Sequence, residues 1–223
     1  MKKQEKFIRD AQYSFFKEGW CEVNCEFLGL SKKMNNTILN ISKQEYENNG
    51  KNVGALSLSQ RSIKKHKVFN DILKNHQIIN FLEYITGRKL GITCFMQMLT
   101  IGKTKSLDWH RDSYCRNQRF IGPIPSVVKI MICNNSVKKT DGPFQVVSGS
   151  HTMDFNNKFV DKFLPLLKFK RIKSFTNNPN KCIIFDGRLL HRRSFSSKNA
   201  RRSVTIISLE SPKNLDLEKE VNS

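Results

Sequence analysis

From residue 91 onward the chain is written in short apolar runs of strand length: GITCFMQMLTI, SVVKIMIC, GPFQVVSG, KCIIFDG and RSVTIISLE. Turn-forming sequence separates them, with Gly-Pro at 122–123, Asp-Gly-Pro at 141–143 and Asn-Pro-Asn at 178–180. Pro presets φ and removes a backbone donor, while Gly and Asn tolerate turn conformations, so each cluster ends one run before the next begins. Runs this short and this rich in β-branched and aromatic residues suit strands. A single helical stretch, NNKFVDKFLPLLKF, interrupts them. So many strands must close on themselves or pack sheet on sheet, which predicts a mainly β fold. The expected core is a β-sandwich or jelly roll over about 91–210.

The sequence before it is different in kind. Phe7, Ala11 and Phe15 recur at helical spacing within residues 4–18, and Gly19 follows as a stop. WCEVNCEFL alternates like a short strand. Residues 32–65 are rich in Asn and Lys with little periodicity and read as a surface loop. A second helix is expected over about 67–86, with Val68, Ile72, Ile79, Leu82 and Ile85 on one side and Gly87 at its end. The expectation is one domain spanning 1–223, with a helical layer over about 1–90 and a polar tail at 211–223. No Pro/Gly/Ser-rich linker and no internal repeat divides it. Sixteen Phe and a hydrophobic fraction of 38% support a packed core.

The formal net charge of +20 invites a nucleic-acid reading, because clustered cations release counterions from phosphates. The excess is mostly Lys, 27 against 12 Arg, in an Asn-rich chain. Genome composition produces such a mix as readily as a binding surface does, so nucleic acid is the weaker reading and an anionic small or carrier-bound substrate the stronger. The six Cys (21, 25, 94, 115, 133 and 182) form no CxxC pair. Cys94, Cys133 and Cys182 lie in apolar runs and read as small buried hydrophobes in a reducing compartment. The basic start turns amphipathic rather than continuously apolar, unlike a signal peptide, and no apolar run reaches 18 residues. A cytoplasmic location with no membrane span is expected.

Within LDWHRDSYC, His110 and Asp112 stand one residue apart. By composition alone a His-x-Asp pair arises roughly one time in five, so it needs partners. In a strand or its fraying end, residues i and i+2 point to the same side. The two can therefore offer an imidazole nitrogen and a carboxylate oxygen to one ion. His191 follows the run CIIF across an Asp-Gly turn. Two His and one carboxylate form the facial triad that leaves three positions of octahedral Fe(II) open, although a zinc cupin uses similar ligands. Were 2-oxoglutarate the co-substrate, its distal carboxylate would need a cation, and the planar fork of Arg suits that task. Strand parity places Arg202 on one face with Val204 and Ile206, and Arg201 on the other with Ser203 and Thr205, which makes Arg202 the inward candidate.

The blocks WHRD, GPFQVVSGSH and FDGRLLHRRSFSSKNARRSV resemble the signature segments of the phytanoyl-CoA dioxygenase family of Fe(II)/2-oxoglutarate-dependent oxygenases. That family is similar in having a His-x-Asp pair, a GPL-V-PGSH type segment and a distal His followed eleven residues later by an Arg, the separation of His191 and Arg202 here. The resemblance covers residues 92–209, and FFKEGWCEV is similar to the family's opening helix and strand. It implies a double-stranded β-helix (jelly-roll, cupin-like) core, Fe(II) held by His110, Asp112 and His191, and 2-oxoglutarate bound by Arg202 with a polar contact from Gln97. It also implies consumption of O2 with release of succinate and CO2. Hydroxylation is the default outcome; Asp112 argues against a halogenase, which lacks this carboxylate. Two departures are evident: Ser148 stands where the family has Pro, and Arg193 where it often has a small or hydroxylated residue.

Simpler roles compete for the remaining residues. His151 reads as structural. Trp109, Tyr114 and Phe144 read as packing residues ahead of substrate platforms, and Lys129 projects either into the barrel mouth or into solvent. Arg111, Arg116, Arg119, Arg192 and Arg193 are either plain surface charge or an entrance that attracts an anionic substrate. Candidate substrate contacts are thus Trp109, Tyr114, Arg116, Arg119, Lys129 and Arg193. The leading expectation is a hydroxylase of a small or carrier-linked anionic metabolite. A nucleic-acid-directed oxygenase is less favoured, since repair-type members resemble one another in an Arg nearer the distal His. A non-catalytic binding protein on the same fold would have no chemical need for the complete set of His110, Asp112, His191 and Arg202.

Overall fold

The computed structural model describes residues 2–49, 54–112, 127–153, 158–176 and 179–211. Helix α1 (Lys2–Glu18) turns Ala11 and Phe15 inward as the spacing requires. Gly19 then takes φ +81, and a Cβ there would lie 2.6 Å from His151 Nδ1 and 2.7 Å from Leu189 Cδ1. Both the left-handed backbone and the close approach exclude other residues. Strand β1 (Trp20–Asn24) follows and runs into a 3-10 turn at Cys25–Leu28.

Residues 32–49, expected as surface loop, form helix α2 (Lys32–Asn49). Its inward face carries Ile38 and Ile41 together with buried Asn35 and Ser42. Asn35 Nδ2 donates to Pro179 O at 2.8 Å and Ser42 Oγ to Ile38 O at 2.8 Å. Buried polar residues with partners of their own dilute the hydrophobic period, which is why the helix does not show in the sequence. After β2 (Ala55–Ser57) and α3 (Gln60–Lys65), the helix expected over 67–86 is broken into α4 (Lys67–Leu73) and α5 (His76–Thr86). Asn75 makes the break by accepting from Gln77 N at 2.9 Å as an N-cap, and Gly87 ends α5 in the left-handed conformation.

The rest is sheet: β3 (Gly91–Ile101), β4 (Val127–Cys133), β5 (Phe144–Val147), β6 (Ile172–Phe175), β7 (Lys181–Asp186), β8 (His191–Arg193) and β9 (Arg201–Glu210), with α6 (Lys158–Leu167) between β5 and β6. The strands form a six-stranded sheet in the order β1-β7-β4-β9-β3-β2 and a three-stranded sheet β6-β5-β8, all paired antiparallel. The larger sheet is covered on both faces. Ile130, Ile184, Ile207 and Leu209 pack outward against Phe15, Ile38, Phe69 and Leu82 of the helical layer. Met131, Phe185 and Val204 face inward against Phe144, Val146 and Phe175 of the smaller sheet. Double coverage explains why β4 and β7 read as near-continuous apolar runs rather than alternating ones, whereas β9 also buries Arg202, Ser203, Thr205 and Ser208. The result is the expected double-stranded β-helix, with the helices on the outer face of its larger sheet. Among the described residues no helix is long and apolar enough to cross a membrane.

Candidate metal centre and its cavity

His110 and His191 are brought together by the backbone. His110 N donates to His191 O at 3.0 Å and His191 N to His110 O at 2.9 Å, an isolated bridge that sets the two rings with centroids 4.4 Å apart. Asp112 N donates to Gly187 O at 2.9 Å, so the same turn after β7 anchors the aspartate. Asp112 Oδ2 lies 3.5 Å from His191 Nε2, and one ligand atom from each of the three residues falls within 4.8 Å of the others.

The tautomers are held by the main chain. His110 Nδ1 lies 2.8 Å from Asp108 O and His191 Nδ1 2.7 Å from Leu189 O. Each carbonyl accepts from an Nδ1–H, which leaves both Nε2 lone pairs free to ligate, the arrangement expected around a metal-binding imidazole. Burial pushes the His191 pKa down to about 4 against the pull of Asp112, so the ring is neutral at physiological pH. Burial acts to raise the Asp112 carboxyl, but His191, Lys129 and His110 outweigh it and hold the group below its usual range. Two imidazoles and one carboxylate make a donor set that fits Fe(II).

Arg111, between the ligands, points the opposite way. It is fully buried and grips Asp161 of α6 through Nε at 2.6 Å and Nη2 at 2.8 Å, while Nη1 donates to Ser150 O and Arg188 O. Neither reading of Arg111, surface charge or entrance, holds, because alternation along the chain that turns His110 and Asp112 to one side turns Arg111 into the protein. The pair fixes the metal loop to α6. Arg111→Met is expected to lower stability by about 3–5 kcal/mol, because the Asp161 carboxylate is left buried and unpaired. Urea unfolding checks this, and the double variant Arg111→Met/Asp161→Leu should recover most of the loss.

The three ligands open into a cavity of about 250 Å³. Met96, Met98, Met131, Phe144, Phe185 and Ile206 form its apolar wall, and Lys129, Arg192, Arg193 and Arg202 are its cations. Lys129 Nζ lies 2.9 Å from Asp112 Oδ2. The barrel-mouth position of this lysine is thus the one realised. Arg202 is buried as strand parity predicts, and burial lowers its pKa to about 10, so it stays charged. No carboxylate pairs with it among the described residues; Nη2 reaches Met131 Sδ at 3.4 Å. Thr100 is its cross-strand partner, with a buried Oγ1 that lacks a hydrogen bond. A buried guanidinium and an orphaned hydroxyl on one face form a fitting receptor for the distal carboxylate of 2-oxoglutarate. Thr100 escaped the sequence reading because only the register of β3 on β9 sets it opposite Arg202.

Gln97 does not reach the cavity. It lies between Met96 and Met98, which face the site, so its own side chain takes the other face. There Nε2 donates to Ser42 Oγ at 3.1 Å and Ser203 Oγ at 2.9 Å, and Oε1 accepts from Thr205 and Asn134. Trp109 is half-buried against Val147, Leu164 and Leu190, with the Arg192 guanidinium 4.4 Å from its ring centroid; it is a packing residue outside the cavity lining. Arg193 lines the cavity, donating to Thr104 Oγ1 and to Lys105 O at 3.1 Å. Phe144 packs 5.4 Å from the His191 ring and also lines the site. His151 Nε2 is 2.9 Å from Phe16 O, a structural position beneath Gly19. Tyr114, Arg116 and Arg119 lie outside the described residues.

A family model described as phytanoyl-CoA dioxygenase (PhyH) matches residues 41–203. No curated protein matches the chain in sequence. Solved structures match in fold. AviO1 from Streptomyces viridochromogenes Tue57 is 14% identical, with 92% of this chain and 95% of that chain covered at a TM-score of 0.70. SnoN, a non-heme alpha-ketoglutarate-dependent epimerase from nogalamycin biosynthesis, is 12% identical over 93% and 82% at 0.74. EctD from S. alaskensis, with 2-oxoglutarate and 5-hydroxyectoine, is 14% identical over 91% and 76% at 0.68.

Proposed function

The chain belongs to the phytanoyl-CoA dioxygenase family, and on that premise we propose that it hydroxylates a small or carrier-linked anionic metabolite, with His110, Asp112 and His191 as its iron ligands. The enzyme is an oxygenase dependent on Fe(II), 2-oxoglutarate and O2. The observation that carries the anionic reading is the charge of the cavity. Beyond Arg202, three further cations, Lys129, Arg192 and Arg193, line it, and among the described lining residues Asp112 is the one carboxylate. A site this basic concentrates anions and disfavours cations.

When bound, iron and 2-oxoglutarate supply the oxidising chemistry, in which activation of O2 is coupled to decarboxylation of the co-substrate to succinate and CO2. The chain's own residues bind and orient. The main-chain carbonyls of Asp108 and Leu189 fix the two imidazoles so that both Nε2 atoms face the carboxylate. Arg202, with the Thr100 hydroxyl, holds the distal carboxylate of 2-oxoglutarate. Lys129 balances the Asp112 charge, which reduces the cost of burying that carboxylate. The wall of Met, Phe and Ile excludes water from the reacting atoms, and Arg192 and Arg193 face the substrate's anionic group.

After anaerobic Fe(II) reconstitution and exposure to O2, 2-oxoglutarate turnover over a substrate panel should rise with carboxylated or phosphorylated compounds and not with neutral analogues of the same size. Arg192→Gln should raise the KM for such a substrate roughly ten- to hundredfold with little change in kcat, the loss of one charge-assisted contact. Equal turnover of neutral and anionic compounds, with a KM insensitive to salt, would sink the anionic assignment. No succinate release with any compound after Fe(II) loading would instead favour a zinc cupin or a binding protein.

A further inference from the structure

Helix α6 packs by one side and leaves the other open. Asp161 and Leu164 are buried, whereas Phe163, Leu166, Leu167 and Phe169 are between 44% and 79% exposed. Phe159, one turn before Phe163, is exposed as well, with ring centroids 5.0 Å apart. Positions 159, 163, 166 and 167 fall on one stripe of a helix, and Phe169 extends it past the last turn. Scattered exposed apolar residues need no explanation, but a contiguous stripe of Phe and Leu marks an interaction surface. Cations share this surface: Lys162, Lys170 and Arg171 are exposed, with Lys170 Nζ 6.0 Å from the Phe169 ring centroid. The one carboxylate of residues 158–176, Asp161, is buried in its pair with Arg111 and lends the surface no negative charge.

We infer that this face docks on an anionic lipid bilayer, with the Phe and Leu side chains at the acyl boundary and the cations among the phosphate headgroups. The chemistry is that of an amphipathic helix lying in the membrane interface: a large apolar stripe beside Lys and Arg, on a chain with no described helix able to span. Charge selects the bilayer over a second copy of the chain. A self-contact through α6 would set Lys162, Lys170 and Arg171 against their own equivalents with no exposed carboxylate among residues 158–176 to offset them, while anionic headgroups supply that counter-charge. Through Asp161 and Arg111 the docked helix holds the loop between His110 and Asp112.

Co-sedimentation of the full chain with vesicles tests this. Vesicles of phosphatidylcholine mixed with phosphatidylserine should bind it, and phosphatidylcholine alone should bind it roughly a hundredfold more weakly, the difference expected for about three cations at the surface. Leu166→Ser/Leu167→Ser should weaken binding at least about tenfold. Lys162→Glu/Lys170→Glu should remove the preference for phosphatidylserine. All four side chains are exposed, so both variants should keep the circular dichroism and melting temperature of the parent. Absence of binding to either vesicle, or equal binding to both, overturns the proposal. So does a dimer in light scattering that Leu166→Ser/Leu167→Ser converts to monomer, which would assign the face to a second copy of the chain.

Discussion

Asp112→Ala and His191→Ala should each lower Fe(II) affinity by more than about a hundredfold, beyond the loss typical of an outer-shell partner, and reduce succinate release to background. Both remove one of three donors whose ligand atoms lie within 4.8 Å. The aspartate variant does more than delete a donor. It leaves the Lys129 ammonium, 2.9 Å from the lost carboxylate, beside two imidazoles with no anion to offset it, so the site then repels a dication. Asp112→Ala/Lys129→Met relieves that repulsion and separates the two contributions. Iron retained after anaerobic dialysis measures the first effect and succinate the second. Full metal loading and turnover in Asp112→Ala would overturn the ligand assignment.

Arg202→Met should behave differently, keeping Fe(II) binding while raising the 2-oxoglutarate KM by about a hundredfold or more, as expected for two charge-assisted hydrogen bonds. Stability should not fall with it. Among the described residues no carboxylate pairs with the buried Arg202, which reaches the Met131 thioether, and replacing a buried cation by an apolar group of similar volume is often neutral or stabilising. A raised KM with an unchanged or higher melting temperature is therefore the signature of a residue kept for its ligand. An unchanged KM would place the distal carboxylate elsewhere. Thr100→Val should raise the KM less, about tenfold, through loss of one hydroxyl donor.

The strands β3, β4 and β7 were legible because burial on both faces made them long apolar runs, and β9 because β-branched residues recur within RSVTIISLE. The short strands β2, β6 and β8 were not, since three or four residues hold too little pattern to separate strand from loop. Helix α2 was hidden by Asn35 and Ser42, polar residues on an inward face. At the site, parity along β9 identified Arg202, and the same parity argues against Gln97 once Met96 and Met98 are seen to face the cavity.

By itself the sequence determined which groups are available for chemistry. His110 and Asp112 at i and i+2, His191 after a turn and Arg202 on the inward parity of a strand are local facts, since backbone geometry within a few residues dictates side-chain direction. Only the tertiary structure decided what those groups meet. Thr100 stands opposite Arg202 because of the β3–β9 register, Lys129 reaches Asp112 across the barrel, and Arg111 finds Asp161 fifty residues on. The physical reason is that strand pairing and helix docking join segments distant along the chain, and a shift of one residue in register would turn each of these side chains to the other face.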